Sequence, residues 1–295
     1  MNKTKPASDS LQRLPSWLKT SLPKGDNYFR LKALTRKYGL NTVCESASCP
    51  NIGSCWSAGT LTLMILGDTC TRACRFCDVP TGHMLAPRKE EPREVAEMLS
   101  NLNLHYAVIT SVDRDDLADG GASIWAETIQ RIKNACTNMK IEVLIPDFKG
   151  EVSLIKKVCQ ALPDVVAHNL ETVESLQSVV RPQCRYSWSM ETLKIAAKNN
   201  MITKSSLMLG LGEKRGEVIE CMRHLVDVNC KILSLGQYLR PSRNHLEVVE
   251  YVHPDRFAEY KVIGESLGLM HIEAGPLVRS SFHADQQSQR LIGFL

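Results

Sequence analysis

The sequence predicts an α/β protein, a partial (β/α)6 TIM-like barrel with N-terminal and C-terminal extensions covering the open end. Three observations predict it. Six apolar runs alternate with segments of helical period between residues 60 and 268. The runs are continuously apolar rather than alternating, as in strands buried on both faces of a parallel sheet. A dense group of cysteines follows the first run, at the strand end where barrels of this kind carry their chemistry.

Residues 1–58 form an irregular N-terminal extension with short helical pieces such as "NYFRLKALTRKYGL". The barrel segment, 59–268, opens with "TLTLMILG" (60–67) as a buried strand. The helix "EPREVAEMLSNL" (91–102) follows, with Pro92 in its first turn where no N–H is needed. Then "HYAVITSV" (105–112), "KIEVLIPD" (140–147) and "DVVAHNLE" (164–171) read as strands. The segments 121–136 and 151–162 between them read as helices. A helix from about Thr172 and another near "SMETLKIAAKNN" precede the strand "MITKSSLMLGLG" (201–212). The helix 217–229, the strand "KILSLGQYL" (231–239) and the helix 254–268 complete six units. Right-handed crossovers curl such a series into a partial barrel, since a full one needs eight units. Residues 269–295, with the strand-like "LMHIEAGPLV", form a C-terminal extension.

The length of 295 residues and the 43% hydrophobic, 23% charged composition describe a globular protein with a sizeable core. No stretch approaches the ~20 apolar residues of a membrane span. The first 20 residues lack an apolar signal-peptide core, so a cytoplasmic protein is expected. Net charge is +4, yet residues 1–43 hold nine Lys/Arg against two Asp. That arm is either a solvated basic segment or a docking surface for an acidic partner. Nothing in the sequence demands more than a monomer.

Six of the 11 cysteines fall within residues 44–77. A large chain, an odd count and no export signal argue against a disulfide framework. "GDTCTRACRFCDV" places Cys70, Cys74 and Cys77 in C-x3-C-x2-C spacing. Structural zinc wants four ligands in paired knuckles, whereas compact thiolate runs also hold iron–sulfur clusters. Three thiolates on a four-iron cluster leave one iron open to a substrate or cofactor, the logic of an open catalytic site. "CESASCPNIGSC" adds Cys44, Cys49 and Cys55, with Pro50 and Gly53 predicting a loop. Spacing alone leaves open a zinc site with a remote fourth ligand for this second triplet.

The first triplet, with Phe76 before its last cysteine at a strand end, resembles the radical S-adenosylmethionine (SAM) superfamily. The two triplets together are similar to the lipoyl synthase family. So are "ITSVDRDDLADGGA" (109–122), "HNLETV" (168–173), "VRP" (180–182), "SLMLGLGE" (206–213), "GQYLRPS" (236–242) and "VRSSFHA" (278–284), a match over roughly 12–287. Phe282 stands where that family usually has Tyr, so only a hydroxyl is lost. The resemblance implies two 4Fe-4S clusters and SAM as cofactors. Cys70, Cys74 and Cys77 would hold the cluster that binds and cleaves SAM. Cys44, Cys49 and Cys55 would hold an auxiliary cluster with Ser281 as fourth ligand, dismantled to place two sulfurs at carbons six and eight of an octanoyl chain. The implied partners are an octanoylated lipoyl-carrier protein or domain, an electron donor such as ferredoxin or flavodoxin, and cluster-assembly proteins. The alternatives are another two-cluster sulfur-inserting radical SAM enzyme, and a zinc-bound module using the basic arm on nucleic acid. Missing paired knuckles and missing basic-aromatic interleaving oppose the latter, so no nucleic-acid partner is expected.

Strand ends carry further candidates. Asn169 and Glu171 could bind the ribose or amino group of SAM, or simply start a helix that Asn169 or Thr172 caps. Ser111 and Asp113 carry a similar claim, although "RDDLADGG" also reads as a polar loop with a helix cap. Arg181 and Arg240 could contact substrate or a carboxylate of SAM, or form salt bridges to local acids. "GLGE" (210–213) reads as a strand-to-helix turn. His168, Trp56 and Trp188 read as packing residues, and Cys136, Cys159, Cys184, Cys221 and Cys230 as mostly small core residues.

Overall fold

The computed structural model describes residues 14–19, 25–57, 60–102 and 104–287. The first 13 residues, with much of the basic arm, and the end of the C-terminal extension lie outside these. One eight-stranded sheet runs in chain order: β1 (Asn41–Thr42), β2 (Thr62–Ile65), β3 (Tyr106–Ser111), β4 (Lys140–Leu144), β5 (Val165–Ala167), β6 (Ile202–Leu209), β7 (Ile232–Gln237) and β8 (His271–Ala274). β1 pairs antiparallel with β2, and every later pair is parallel. Strands β2 to β7 are the six expected strands. β8, from the segment assigned to the C-terminal extension, is a seventh parallel strand.

Helices α1 (Asp26–Tyr38), α2 (Val43–Ser46) and α3 (Ile52–Ser57) precede the barrel. The crossovers carry α4 (Glu91–Ser100), α5 (Ala122–Ala135), α6 (Val152–Gln160), α7 (Gln177–Val180), α8 (Tyr186–Lys198), α9 (Arg215–Asp227) and α10 (Pro254–Leu267). Pro92 sits in the first turn of α4, as its missing N–H allows. The helix expected from Thr172 is shorter: a 3-10 turn over Glu174–Leu176 leads into the four residues of α7. Cys44 and Cys55 lie in short helices rather than in one loop. The reason is local: the Thr42 hydroxyl accepts the Glu45 N–H at 3.3 Å and caps α2.

The core divides in two. Apolar residues of β2–β5 pack against α4, α5 and α6, and those of β6–β8 against α8, α9 and α10. The barrel interior is polar where Lys204 Nζ meets Glu142 Oε1 at 2.9 Å, with both side chains sealed from solvent. The Tyr106 hydroxyl donates to Glu142 Oε2 at 2.7 Å. Removing one partner of such a pair leaves an uncompensated buried charge. Glu142→Gln is therefore expected to cost about 3–5 kcal/mol, read as a lower urea midpoint. Glu142→Leu combined with Lys204→Met recovers most of it, because an apolar pair carries no desolvation penalty.

The segment after β8 returns to the front of the barrel. Gln237 N–H donates to Pro276 O, and a Cβ on Gly236 would lie 2.0 Å from Val278 O. Only glycine lets the extension cross β7 this closely. Asn51 Nδ2 then donates to Leu277 O at 2.6 Å, and Thr62 Oγ1 to Ser281 Oγ at 2.9 Å. The C-terminal segment thus ties the N-terminal segment and the first parallel strand to the last.

Candidate active site

The chain leaves β2 through Leu66 (φ 69°) and Gly67 (φ 102°). The Leu66 N–H is held by the buried carboxylate of Glu91 at 2.7 Å. The Cys70–Cys77 loop follows. Cys70 N–H donates to Pro80 O at 2.8 Å and Thr71 N–H to Asp113 O at 3.1 Å. Arg75 N–H donates to Val180 O at 2.9 Å, and His245 Nε2 lies 2.9 Å from Cys77 O. The loop is therefore fastened to the ends of three other crossovers. Cys70 Sγ accepts from the N–H groups of Arg72 and Asp113 at 3.4 and 3.3 Å. Burial pushes the Cys70 thiol up to about 12 and the Cys77 thiol up to about 11. The Cys74 thiol is raised first by its contact with the Cys184 thiol and then by burial. Without a cation these thiols stay protonated, and a bound metal deprotonates its thiol ligands outright.

The strand-end candidates converge beside this loop. Ser111 ends β3, and its buried hydroxyl has no partner. Asn169 Nδ2 donates to Glu171 Oε1 at 3.0 Å. Glu171 adopts φ 67°, a conformation unusual for a residue with a side chain and often found at functional sites. Burial raises the Glu171 carboxyl above the usual range. The helix-capping alternative is not realised, because the Thr172 hydroxyl is unpartnered and Val173 precedes the 3-10 turn. Arg181 is buried and donates to Asn169 O and Leu170 O from Nη1, while its Nε has no partner. Among the described residues it makes no salt bridge, contrary to that alternative; it braces the turn carrying Asn169 and Glu171. Arg240 ion-pairs with Glu247 at 3.5 Å and bonds two nearby carbonyls, so it is absorbed in its own loop. His168 is a packed residue bonded to Ile145 O and Ser189 Oγ, and burial lowers it to about 4. The glycine turn stands as expected, with Glu213 bonded to the N–H groups of Gly210 and Leu211.

The second triplet lines a pocket. Cys44, Cys49, Cys55, Thr62, Arg279 and Ser281 surround a space of about 310 Å³, part of it open to solvent. Phe282 also lines it and stacks on His283, so the aromatic body serves here without a hydroxyl. Burial raises the Cys44 thiol, and pushes Cys55 up to about 12. Three thiols and one hydroxyl face one space and could together hold a metal cluster such as an iron–sulfur cluster. A single tetrahedral zinc would need its sulfurs roughly 3.8 Å apart, from Zn–S bonds of about 2.3 Å. Among the described residues, no three Cys, His, Asp or Glu side chains are gathered in that way.

Several residues of the site escaped sequence reasoning. Arg279 is half-buried, lines the pocket of the second triplet within electrostatic reach of Cys49 and Glu171, and desolvation depresses its guanidinium. Ser280 Oγ donates to Asn169 Oδ1 at 3.0 Å. Adjacent serines thus reach toward both halves: Ser280 to the strand-end residues and Ser281 to the pocket of the second triplet. Cys184 is not a mere core residue, since Arg72 Nη1 donates to its sulfur at 3.2 Å. Arg279 and Ser280 belong to "VRSSFHA", but that stretch does not show what they meet; the partners of all three residues come from juxtaposition across more than 100 positions.

The model for the radical SAM superfamily matches residues 64–225, and that for the N-terminal domain of lipoyl synthase matches 1–49. The mitochondrial lipoyl synthase of Nematostella vectensis is 49% identical over 92% of this chain and 94% of its own length. The lipoyl synthase of Treponema denticola is 48% identical over 93% of this chain and 95% of its own. Among solved structures, the FeFe-hydrogenase maturase HydG from Carboxydothermus hydrogenoformans superposes with TM-score 0.56 at 12% identity, covering 85% of this chain and 73% of that one. Methylornithine synthase (PylB) gives 0.52 at 12% identity, covering 85% and 79%. The distant structures share the fold; the near relatives, alike over almost their whole length, settle the family. The chain belongs to the lipoyl synthase family of the radical SAM superfamily.

Proposed function

We propose that Cys70, Cys74 and Cys77 hold the cluster that engages SAM, and that Cys44, Cys49, Cys55 and Ser281 hold the auxiliary cluster. The observation that carries this is the placement of two thiol triplets near one barrel mouth, joined by Arg279, Ser280 and Ser281. The chain is a radical SAM sulfurtransferase that uses 4Fe-4S clusters and SAM. It inserts sulfur at carbons six and eight of a protein-bound octanoyl chain, with the auxiliary cluster as the sulfur-donating substrate.

When bound, the first cluster and SAM supply strongly reducing one-electron chemistry and hydrogen-atom abstraction from unactivated carbon. The protein's part is binding and placement. The free Ser111 hydroxyl, Asn169 and the Glu171 carboxyl offer polar partners to SAM, and Arg181 fixes the turn that presents two of them. Ser281 offers an oxygen, a harder ligand to iron than thiolate, on a cluster that must come apart. Thr62 holds that hydroxyl in place.

The three segments 1–58, 59–268 and 269–295 divide the work: the first and last build the auxiliary site, and the middle builds the SAM site. The last segment also supplies the seventh parallel strand. An octanoylated lipoyl-carrier protein is the substrate class. A low-potential donor such as ferredoxin or flavodoxin, and cluster-assembly proteins, complete the set, with the chain acting as a monomer. All 11 cysteines are free, which suits a reducing compartment such as the cytoplasm. No described helix is long and apolar enough to cross a membrane.

Mass spectrometry tests the reading. Anaerobic, cluster-reconstituted protein is mixed with SAM, a strong reductant and an octanoyl-lysine peptide. A peptide that gains two sulfurs while 5′-deoxyadenosine forms is the expected result. Deoxyadenosine with an unmodified peptide rejects the substrate class, and neither product rejects the mechanism.

A further inference from the structure

Arg72 stands between Cys70 and Cys74, and its guanidinium is wholly buried. Nε and Nη2 fork onto Asp115 at 2.8 and 2.9 Å. Nη1 and Nη2 fork onto Asp147, both at 2.8 Å. Nη1 also donates to Cys184 Sγ at 3.2 Å and lies 3.5 Å from Asp113 Oδ1. All five N–H groups are thereby used. The carboxylates come from two strand ends: Asp113 and Asp115 follow β3, and Asp147 follows β4. Lys149 Nζ, 3.7 Å from Asp115 and half exposed, also faces this group, and the buried Arg181 lies within electrostatic reach of Asp113. "VDRDDLADGG" is therefore more than a polar loop. Two of its acids, with Asp147, enclose a cation from the thiol loop.

Backbone bonds fasten Cys70, Thr71 and Arg75, at either end of the loop. In between, Ala73 N–H is held by the Gln183 side chain, Cys74 meets the Cys184 thiol, and the Arg72 side chain supplies the charged anchor. A guanidinium forked on two carboxylates fixes direction as well as distance; an ammonium does not. We infer that Arg72 is a positioning residue whose two carboxylate forks set the middle of the loop, so that Cys74 meets the cluster together with Cys70 and Cys77. The inference rests on the assignment of that triplet to the SAM-binding cluster. Asp113, Asp115 and Asp147 face Arg72, Lys149 and Arg181, so each of these carboxylates adds negative charge close to the cluster loop. Such charge makes a cluster harder to reduce.

The test uses full-length protein carrying Cys49→Ala, so that only the SAM-site cluster is read. Arg72→Lys keeps the charge and loses the forks. Its apoprotein should melt close to the parent, while affinity for the cluster falls about 10-fold, as for other residues that orient metal ligands. Asp115→Asn, altered at a partly exposed carboxylate, should load but show a more positive cluster potential by redox titration monitored by electron paramagnetic resonance. Parental loading in Arg72→Lys together with a parental potential in Asp115→Asn overturns the proposal. So does an Arg72→Lys apoprotein that melts far below the parent while Asp115→Asn keeps the parental potential, since Arg72 then serves folding alone. Cys74→Ala on the same background separates the two readings: if it still binds the cluster, the triplet assignment has failed rather than the role of Arg72.

Discussion

Cys74→Ala is expected to lower 5′-deoxyadenosine formation from SAM to background and to remove about half the iron, roughly four of eight atoms per chain for two four-iron clusters. The loss is total rather than graded because a cluster with two protein thiolates lacks the support to keep one iron free for SAM. The structure raises a specific objection, the neighbouring Cys184 thiol. That sulfur already accepts from Arg72 at 3.2 Å and lies on a different segment, just after α7. Cys184→Ala should therefore keep the iron content and SAM cleavage of the parent. The two variants, assayed by anaerobic iron analysis and nucleoside chromatography, separate ligand from neighbour. Normal deoxyadenosine from Cys74→Ala would sink the assignment of the first triplet.

Cys49→Ala is expected to spare some SAM cleavage and to stop sulfur insertion, so peptide product should fall to background while deoxyadenosine persists. The separation follows from the architecture. Cys49 lies between α2 and α3 and lines the pocket closed by Arg279 and Ser281, whereas Cys70, Cys74 and Cys77 are fastened to the ends of the parallel strands. Ser281→Cys adds a contrast. A fourth thiolate holds iron more firmly than a serine oxygen does, so the auxiliary cluster should persist on incubation with SAM while sulfur transfer slows. Measurement of lipoyl and half-thiolated peptide by mass spectrometry checks both. A lipoyl product from Cys49→Ala removes the donor role from that triplet.

Much of the barrel was legible because its signals are local. Apolar runs such as "TLTLMILG" and "KILSLGQYL" are buried on both faces and need no partner to be recognised. Both cysteine triplets were legible for the same reason, since each is short and contiguous in the chain. The fold of the second was not: Pro50 and Gly53 suggested a loop, while the Thr42 cap and the packing of Trp56 made helices on either side of Cys49. The short β5 also differs from its apolar run: regular pairing stops at Ala167, and Glu171, at φ 67°, returns to β6 through a single bridge to Leu207.

The sequence by itself determined the six parallel strands β2–β7 and the two cysteine triplets. These follow from periodicity and spacing, which the chain carries within a few tens of residues. Tertiary structure alone decided which distant groups complete the site. It put Ser281 against Thr62, Ser280 against Asn169, Arg279 within electrostatic reach of Cys49 and Glu171, and Arg72 among Asp113, Asp115 and Asp147. The reason is physical. A buried cation or hydroxyl is defined by whatever compensates its lost hydration, and those partners arrive through the crossovers of the sheet rather than along the chain.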